Sequence, residues 1–248
     1  MNRIPDCVIN QLHLSGERDR IEKLLAMIRG DDSVIDFNKI IPMPEPLRME
    51  LGNPTNNGLK AYLDFISVYI FDGMKNKPDL LNIPEKSEQA FLRMRSDIKR
   101  DEWELGKAAF QNQLRYGTPN WCEWMIVNWG TKSAAYGTEL VGYKIIIFHT
   151  AWSRAMPVIT KLAQMYPDIS FEYRWADEDI GANVGIAEFK GGEVVHDEYY
   201  NDFSREAYEF AAELWGLDLE EMGYVFDEKT QTYEYRDPDE HSDTPAMT

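Results

Sequence analysis

The run Tyr143–Thr150, Y-K-I-I-I-F-H-T, limits most strictly what this chain can become. Its near-continuous β-branched and aromatic residues read as a buried strand. Ala151-Trp152-Ser153 leads from it into Pro157–Tyr166, a predicted helix with proline in its first turn and Pro167 behind its last residue. Ile169–Trp175, I-S-F-E-Y-R-W, then alternates as a strand with one exposed face. The front of the chain repeats this order. Cys7–Leu14 reads as a strand, and Glu17–Ile28 as an amphipathic helix with Ile21, Leu24, Leu25 and Ile28 at i, i+3, i+4 and i+7. Val34–Ile41 reads as a second strand, closed by Pro42-Met43-Pro44. Two such units make the split β-α-β arrangement of an α+β, ferredoxin-like sandwich with an antiparallel sheet. That name describes a fold, since two cysteines cannot supply the four thiolates of an iron–sulfur cluster.

Between the two units the character changes. Asn53–Gly58 reads as a loop, Leu59–Met74 as a helix, and Ser87–Tyr116 as one longer helix stopped at Gly117-Thr118-Pro119. The predicted organisation is a ferredoxin-like domain over residues 1–200 with a helical insertion at about 47–118. An acidic extension at 201–236 holds a helix from Ser204 to Trp215 and a small hairpin, and 237–248 is expected to be a disordered tail.

Charge divides unevenly along the chain. The net charge is −17, yet residues 168–248 carry 23 Asp and Glu against 5 Lys and Arg, leaving the first 167 residues nearly neutral. An acidic surface repels nucleic acid, so direct nucleic-acid binding is expected only from the basic helix face of Arg93, Arg95, Lys99, Arg100 and Lys107. Alternatively the acidic third imitates nucleic acid and occupies a basic groove on another protein. No apolar run reaches the roughly 20 residues of a membrane helix, and no secretory signal follows Met1, so a cytoplasmic protein without membrane association is expected. Cys7 and Cys122 are expected as reduced thiols.

The stretch Thr118–Lys132, T-P-N-W-C-E-W-M-I-V-N-W-G-T-K, gathers three of the seven tryptophans. Asn120, Trp121, Trp124, Asn128, Trp129, Thr131 and Lys132, with Trp152, Ser153 and Arg154 facing them, form the candidate binding face. Aromatic walls with convergent polar groups are what a pocket requires; the alternative is that the tryptophans fill the seam beside the inserted helices while the asparagines cap helix ends. No nucleophile–base order suggests itself, so no catalytic residue is assigned. His149 reads as a hydrogen-bonded core histidine. Asp177–Glu188 fails a calcium-loop template because Ala182 stands where glycine is required, so it reads as a hairpin connection. No metal or cofactor is expected.

Several motifs agree with a known family. Pro5-x-Cys7-x-x-Asn10, Asp36-Phe37-Asn38-Lys39-Ile40-Ile41-Pro42-Met43-Pro44, Asn120-Trp121-x-x-Trp124, Asn128-Trp129-Gly130-Thr131-Lys132, Thr150-Ala151-Trp152-Ser153 and Pro157-Val158-Ile159 with Tyr166-Pro167 occur in that order. Over residues 5–190 the chain resembles the YubB-type, Api-like ferredoxin-domain family of phages and plasmids. It departs at Asp6 and at Ser133-Ala134. The resemblance implies a ferredoxin-like fold on a mobile-element protein and carries no catalytic residues. The expected function is a non-enzymatic protein-binding module with an unknown protein partner, one form of it an acidic nucleic-acid mimic acting against a host defence factor. The alternatives are a nucleic-acid accessory protein using the basic helix and an enzyme with a pocket at Trp121, Trp129 and Trp152.

Overall fold

The computed structural model describes residues 7–72 and 79–236. The predicted helix end at Met74 and the predicted tail at 237–248 lie outside them. β1 (Cys7–Ser15) and α1 (Arg18–Ile28) open the chain, followed by a one-turn α2 (Phe37–Ile40). Next come α3 (Asn53–Asp72), α4 (Glu85–Met94), α5 (Arg100–Tyr116) and α6 (Trp121–Asn128). The sheet resumes with β2 (Tyr136–Val141), β3 (Ile145–Ala151), α7 (Met156–Met165), β4 (Ser170–Asp177), β5 (Gly185–Lys190) and β6 (Glu193–Tyr199). α8 (Arg205–Trp215) and the hairpin β7 (Tyr224–Asp227) and β8 (Thr232–Tyr235) follow. Two compact units result: Met43–Val127, and the remainder of the chain on either side of it.

In the larger unit six antiparallel strands run in the order β2-β3-β1-β4-β5-β6. The first four are the ferredoxin-like arrangement, with β1 between β3 and β4 in the centre. Side chains alternate across the pleat, and both faces of the sheet contribute buried residues. Val8, Leu12 and Leu14 point to one face, while Ile9 joins Ala176, Ile180 and Val184 on the other, under Ala207, Tyr208, Ala211 and Ala212 of α8. Ser204 caps α8 by accepting a hydrogen bond from the Ala207 amide, and Gly216 ends it in the left-handed conformation.

The strand predicted at Val34–Ile41 is instead the turn of helix α2. Asp36 accepts a hydrogen bond from the Asn38 amide (2.9 Å) as an N-cap, and Phe37 and Ile40 are buried at helical spacing. The second strand of the ferredoxin-like order is β2, 100 residues further on. It is an edge strand with an exposed burial pattern and Gly137 in a left-handed conformation, so it carries little apolar signal.

The smaller unit is built around aromatic residues: Tyr62, Phe65, Phe91, Trp103 and Phe110 pack ring against ring. α3 and α5 cross at Gly58 and Gly106, where a Cβ on Gly58 would fall 1.7 Å from the Glu102 carbonyl oxygen. α3 begins at Asn53, inside the stretch read as a loop, because proline is tolerated in a first helical turn. The single helix predicted from Ser87 to Tyr116 is two. α4 stops at Met94, and the Arg95 guanidinium takes both carboxylate oxygens of Asp97 (2.9 Å each), a local pair that competes with continuing the helix.

Candidate functional site

The ten candidate residues fall in both units, three of them (Asn120, Trp121, Trp124) in Met43–Val127 and seven in the sheet unit. Asn120 caps α6, its side-chain oxygen accepting from the Glu123 amide (3.0 Å) and its amide donating to the Glu123 carboxylate (3.1 Å). Trp124 is buried and Trp121 half-buried.

In the sheet unit Trp129 is buried to 1 %, with its indole N–H donating to the Ile41 carbonyl (3.0 Å) and its ring edge-on to Phe37. Gly130 turns the chain with φ 80°, where a Cβ would lie 2.6 Å from Pro157 Cδ. From there the Trp129–Lys132 turn and the Trp152–Arg154 turn are bound to each other. The Thr131 hydroxyl donates to the Ala151 carbonyl (2.8 Å), and the Ser153 hydroxyl donates to the Gly130 carbonyl (2.6 Å). The Ala151 amide donates to Ser133 Oγ (2.9 Å).

A buried polar chain inside the sheet supports the second turn. Asn10, with no solvent exposure, donates to Thr150 Oγ1 (3.0 Å), and the Thr150 hydroxyl donates to the Ser153 carbonyl (2.8 Å). The Tyr173 hydroxyl donates to the Asn10 side-chain oxygen and accepts from the Ala155 amide (2.8 Å). Burial pushes the Tyr173 phenol far above its ordinary pKa, so it remains a neutral donor. Asn10, Thr150, Ser133 and Tyr173 were not among the predicted site residues. Asn10 does leave a trace in the sequence, a polar residue on the inward side of an otherwise apolar strand.

The result is a fixed presentation of Trp152. It is 51 % exposed, it holds φ 76°, and the Lys132 ammonium lies 2.9 Å from its ring centroid. Arg154, by contrast, is turned inward: it pairs with both oxygens of Asp197 (2.6 and 3.1 Å) and lies over the rings of Trp175 (4.1 Å) and Tyr199 (4.4 Å). The hydroxyls of Thr131 and Ser153 are committed as donors to carbonyls, and no base adjoins either one in these contacts. Chemically the site offers an aromatic surface with an adjacent cation. A cleft of about 380 Å³ on the sheet, lined by His13, Lys144, Glu172, Glu188 and Lys190, includes none of the ten residues.

Residues 129–218 match the family model of the ferredoxin-like domain in Api92-like protein. The Api92-like match begins at Trp129 itself and takes in the Thr150–Ser153 turn, α7 and α8. It leaves out β1 and α1. The chain is also similar to the crystal structure of a protein api92 from Yersinia pseudotuberculosis, with TM-score 0.40 and 11% identity over 80% of this chain and 99% of that one. No curated protein matches the chain. The Api92-like domain has no assigned activity to compare with the site.

The remaining predicted features resolve individually. His149, expected in the core, is half-buried on the α8 side, its ring stacked on Tyr136 and tilted against Trp215. Cys7 and Cys122 are free thiols. Burial raises the Cys7 pKa, with the Glu178 and Asp177 charges adding to the rise, which keeps the thiol protonated and a poor nucleophile. Asp177–Asn183 forms a tight connection in which the Asp177 carboxylate accepts from the Asp179 amide (3.1 Å). Among the described residues no group of three or more acidic, histidine or cysteine side chains is placed to hold a metal ion, and no helix is long and apolar enough to cross a membrane.

Proposed function

We propose that the chain is a non-enzymatic protein-binding module of a YubB-type phage or plasmid protein acting in the cytoplasm, with Trp152 as its anchor. The observation that supports this reading is a large aromatic held half-exposed in a left-handed conformation by bonds that converge from two turns and a buried asparagine. A backbone conformation of this kind costs on the order of 1 kcal/mol for a residue other than glycine and persists where the surroundings impose it. Tryptophan, with tyrosine and arginine, is enriched among the residues that carry most of the binding energy at protein interfaces. The acidic third fits the same reading, as a surface imitating nucleic acid toward a basic groove of a host defence factor.

The nucleic-acid reading has less support. Of the five cations on the basic helix face, Arg95 is paired with Asp97 and Asp64, Lys99 with Glu102, and Lys107 with Glu88. Affinity capture from host lysate with the full chain, with Trp152→Ala and with a chain ending at Tyr200 tests the proposal. A partner kept by the full chain and lost with Trp152→Ala is expected. A partner retained equally by the substituted chain would remove Trp152 from the interface, and capture of none by any form would end the reading.

A further inference from the structure

We propose that the α4–α5 hairpin binds a small organic anion, a carboxylate- or phosphate-bearing molecule with an apolar body, in the cleft between its two helices. The cleft measures about 580 Å³, within the size range of small-molecule sites. Glu85, Glu88, Gln89 and Leu92 line it from α4 at i, i+3, i+4 and i+7, and Arg100, Trp103, Glu104 and Lys107 from α5 at i, i+3, i+4 and i+7. The apolar part comes from Leu92, Ile98 and Trp103.

Two contacts set the register. Glu88 meets Lys107 at 2.8 Å, and Phe91 stacks on Trp103 at 5.8 Å, so the helices run antiparallel and Arg93, Arg95 and Arg100 gather at the turn end of the cleft. Arg95 is engaged by Asp97 and Asp64. Glu88, 5 % exposed, is engaged by Lys107 and is hydrogen-bonded by the Tyr62 hydroxyl, so this pair neutralises itself inside the cleft. Arg93 and Arg100 make no ion pair among the described residues. Two guanidiniums that make no ion pair among the described residues, at one end of a slot floored by apolar side chains and lined also by Glu85 and Glu104, suit an anionic group whose oxygens take bidentate hydrogen bonds while its body enters the slot.

Titrating the full chain, isotopically labelled for NMR, with phenyl phosphate, benzoate, inorganic phosphate and benzyl alcohol tests this. Phenyl phosphate or benzoate should bind at least 10-fold more tightly than inorganic phosphate or benzyl alcohol, with shifts centred on residues 85–107, and the better of the two identifies the anionic group. Arg93→Ala with Arg100→Ala should weaken that binding at least 10-fold. Gln89→Trp, which fills the slot and leaves both arginines in place, should do the same. Millimolar probe giving no shifts in 85–107, equal binding of anionic and neutral probes, or full binding by either folded variant would overturn the proposal.

Discussion

Asn10 ties β1 to Tyr173 of β4 and, through Thr150, to the turn that follows β3. Its amide supports Thr150, its carbonyl oxygen receives the Tyr173 hydroxyl, and through them the Ser153 carbonyl and the Ala155 amide are satisfied among buried residues. Asn10→Ala removes both roles and leaves two buried hydroxyls short of a partner, so it should cost about 2–4 kcal/mol, read as a lower urea midpoint at unchanged slope. Trp152 behaves in the opposite sense, since its contacts are few and its backbone is strained. Trp152→Gly should be more stable than Trp152→Ala by about 1 kcal/mol, because only glycine occupies φ 76° without a Cβ penalty. Equal stability of the two would show that the left-handed turn relaxes when the indole is removed.

At the scale of elements, the smaller unit depends on a contact between two backbones. Gly58→Ala places a methyl group against the Glu102 carbonyl, which no side-chain rotation relieves, so α3 and α5 must separate. The expected loss is about 3 kcal/mol, at the upper end for overpacking, measured by chemical denaturation, with Gly106→Ala similar. Helix α8 is held differently, by apolar residues and by Glu213, whose carboxylate accepts from both terminal nitrogens of Arg174 (3.0 Å each). That hydrogen bond holds the Glu213 pKa below its ordinary value. A depressed carboxylate stabilises the fold fully above its unfolded pKa of about 4.3 and loses that contribution as pH falls through the folded value. Wild type should therefore exceed Glu213→Gln in urea midpoint at pH 7, and the gap should close in acid below that value; a gap independent of pH would assign the effect to packing.

These elements also show what was legible in the sequence. α1, α7, α8, β1, β3 and β4 were readable because an apolar period of 3.6 or 2 survives wherever one side of an element is buried. β2 was hidden because an exposed edge strand has no such period, and its place in the fold was given instead to 34–41, whose Phe37 and Ile40 suit a helical turn as well as a strand. At the site, Trp152 and Lys132 were visible as residue types. That Arg154 points inward and Trp129 is buried depends on partners at Asp197 and Ile41, tens of residues away.

On the whole-molecule scale the excess charge dominates. Several acids of the C-terminal third are matched: Asp168 by Arg20, Asp197 by Arg154, Glu209 by Arg205 and Glu213 by Arg174. Glu220, Glu221 and Glu228 are exposed and make no ion pair among the described residues. Like charges concentrated in one part of a chain with net charge −17 repel one another in the folded state, and that repulsion extends over a screening length of about 30 Å in 0.01 M salt but about 3 Å in 1 M. Replacing Glu220, Glu221 and Glu228 together by lysine should therefore raise the melting temperature by a few degrees in 0.01 M sodium chloride, and the gain over wild type should largely disappear in 1 M. A gain that persists unchanged in high salt would mean that the lysines make new local contacts instead of relieving a long-range field. If the acidic third is also a recognition surface, the same triple substitution should slow association with a basic partner while making the free protein more stable, so stability and binding would move in opposite directions in one variant.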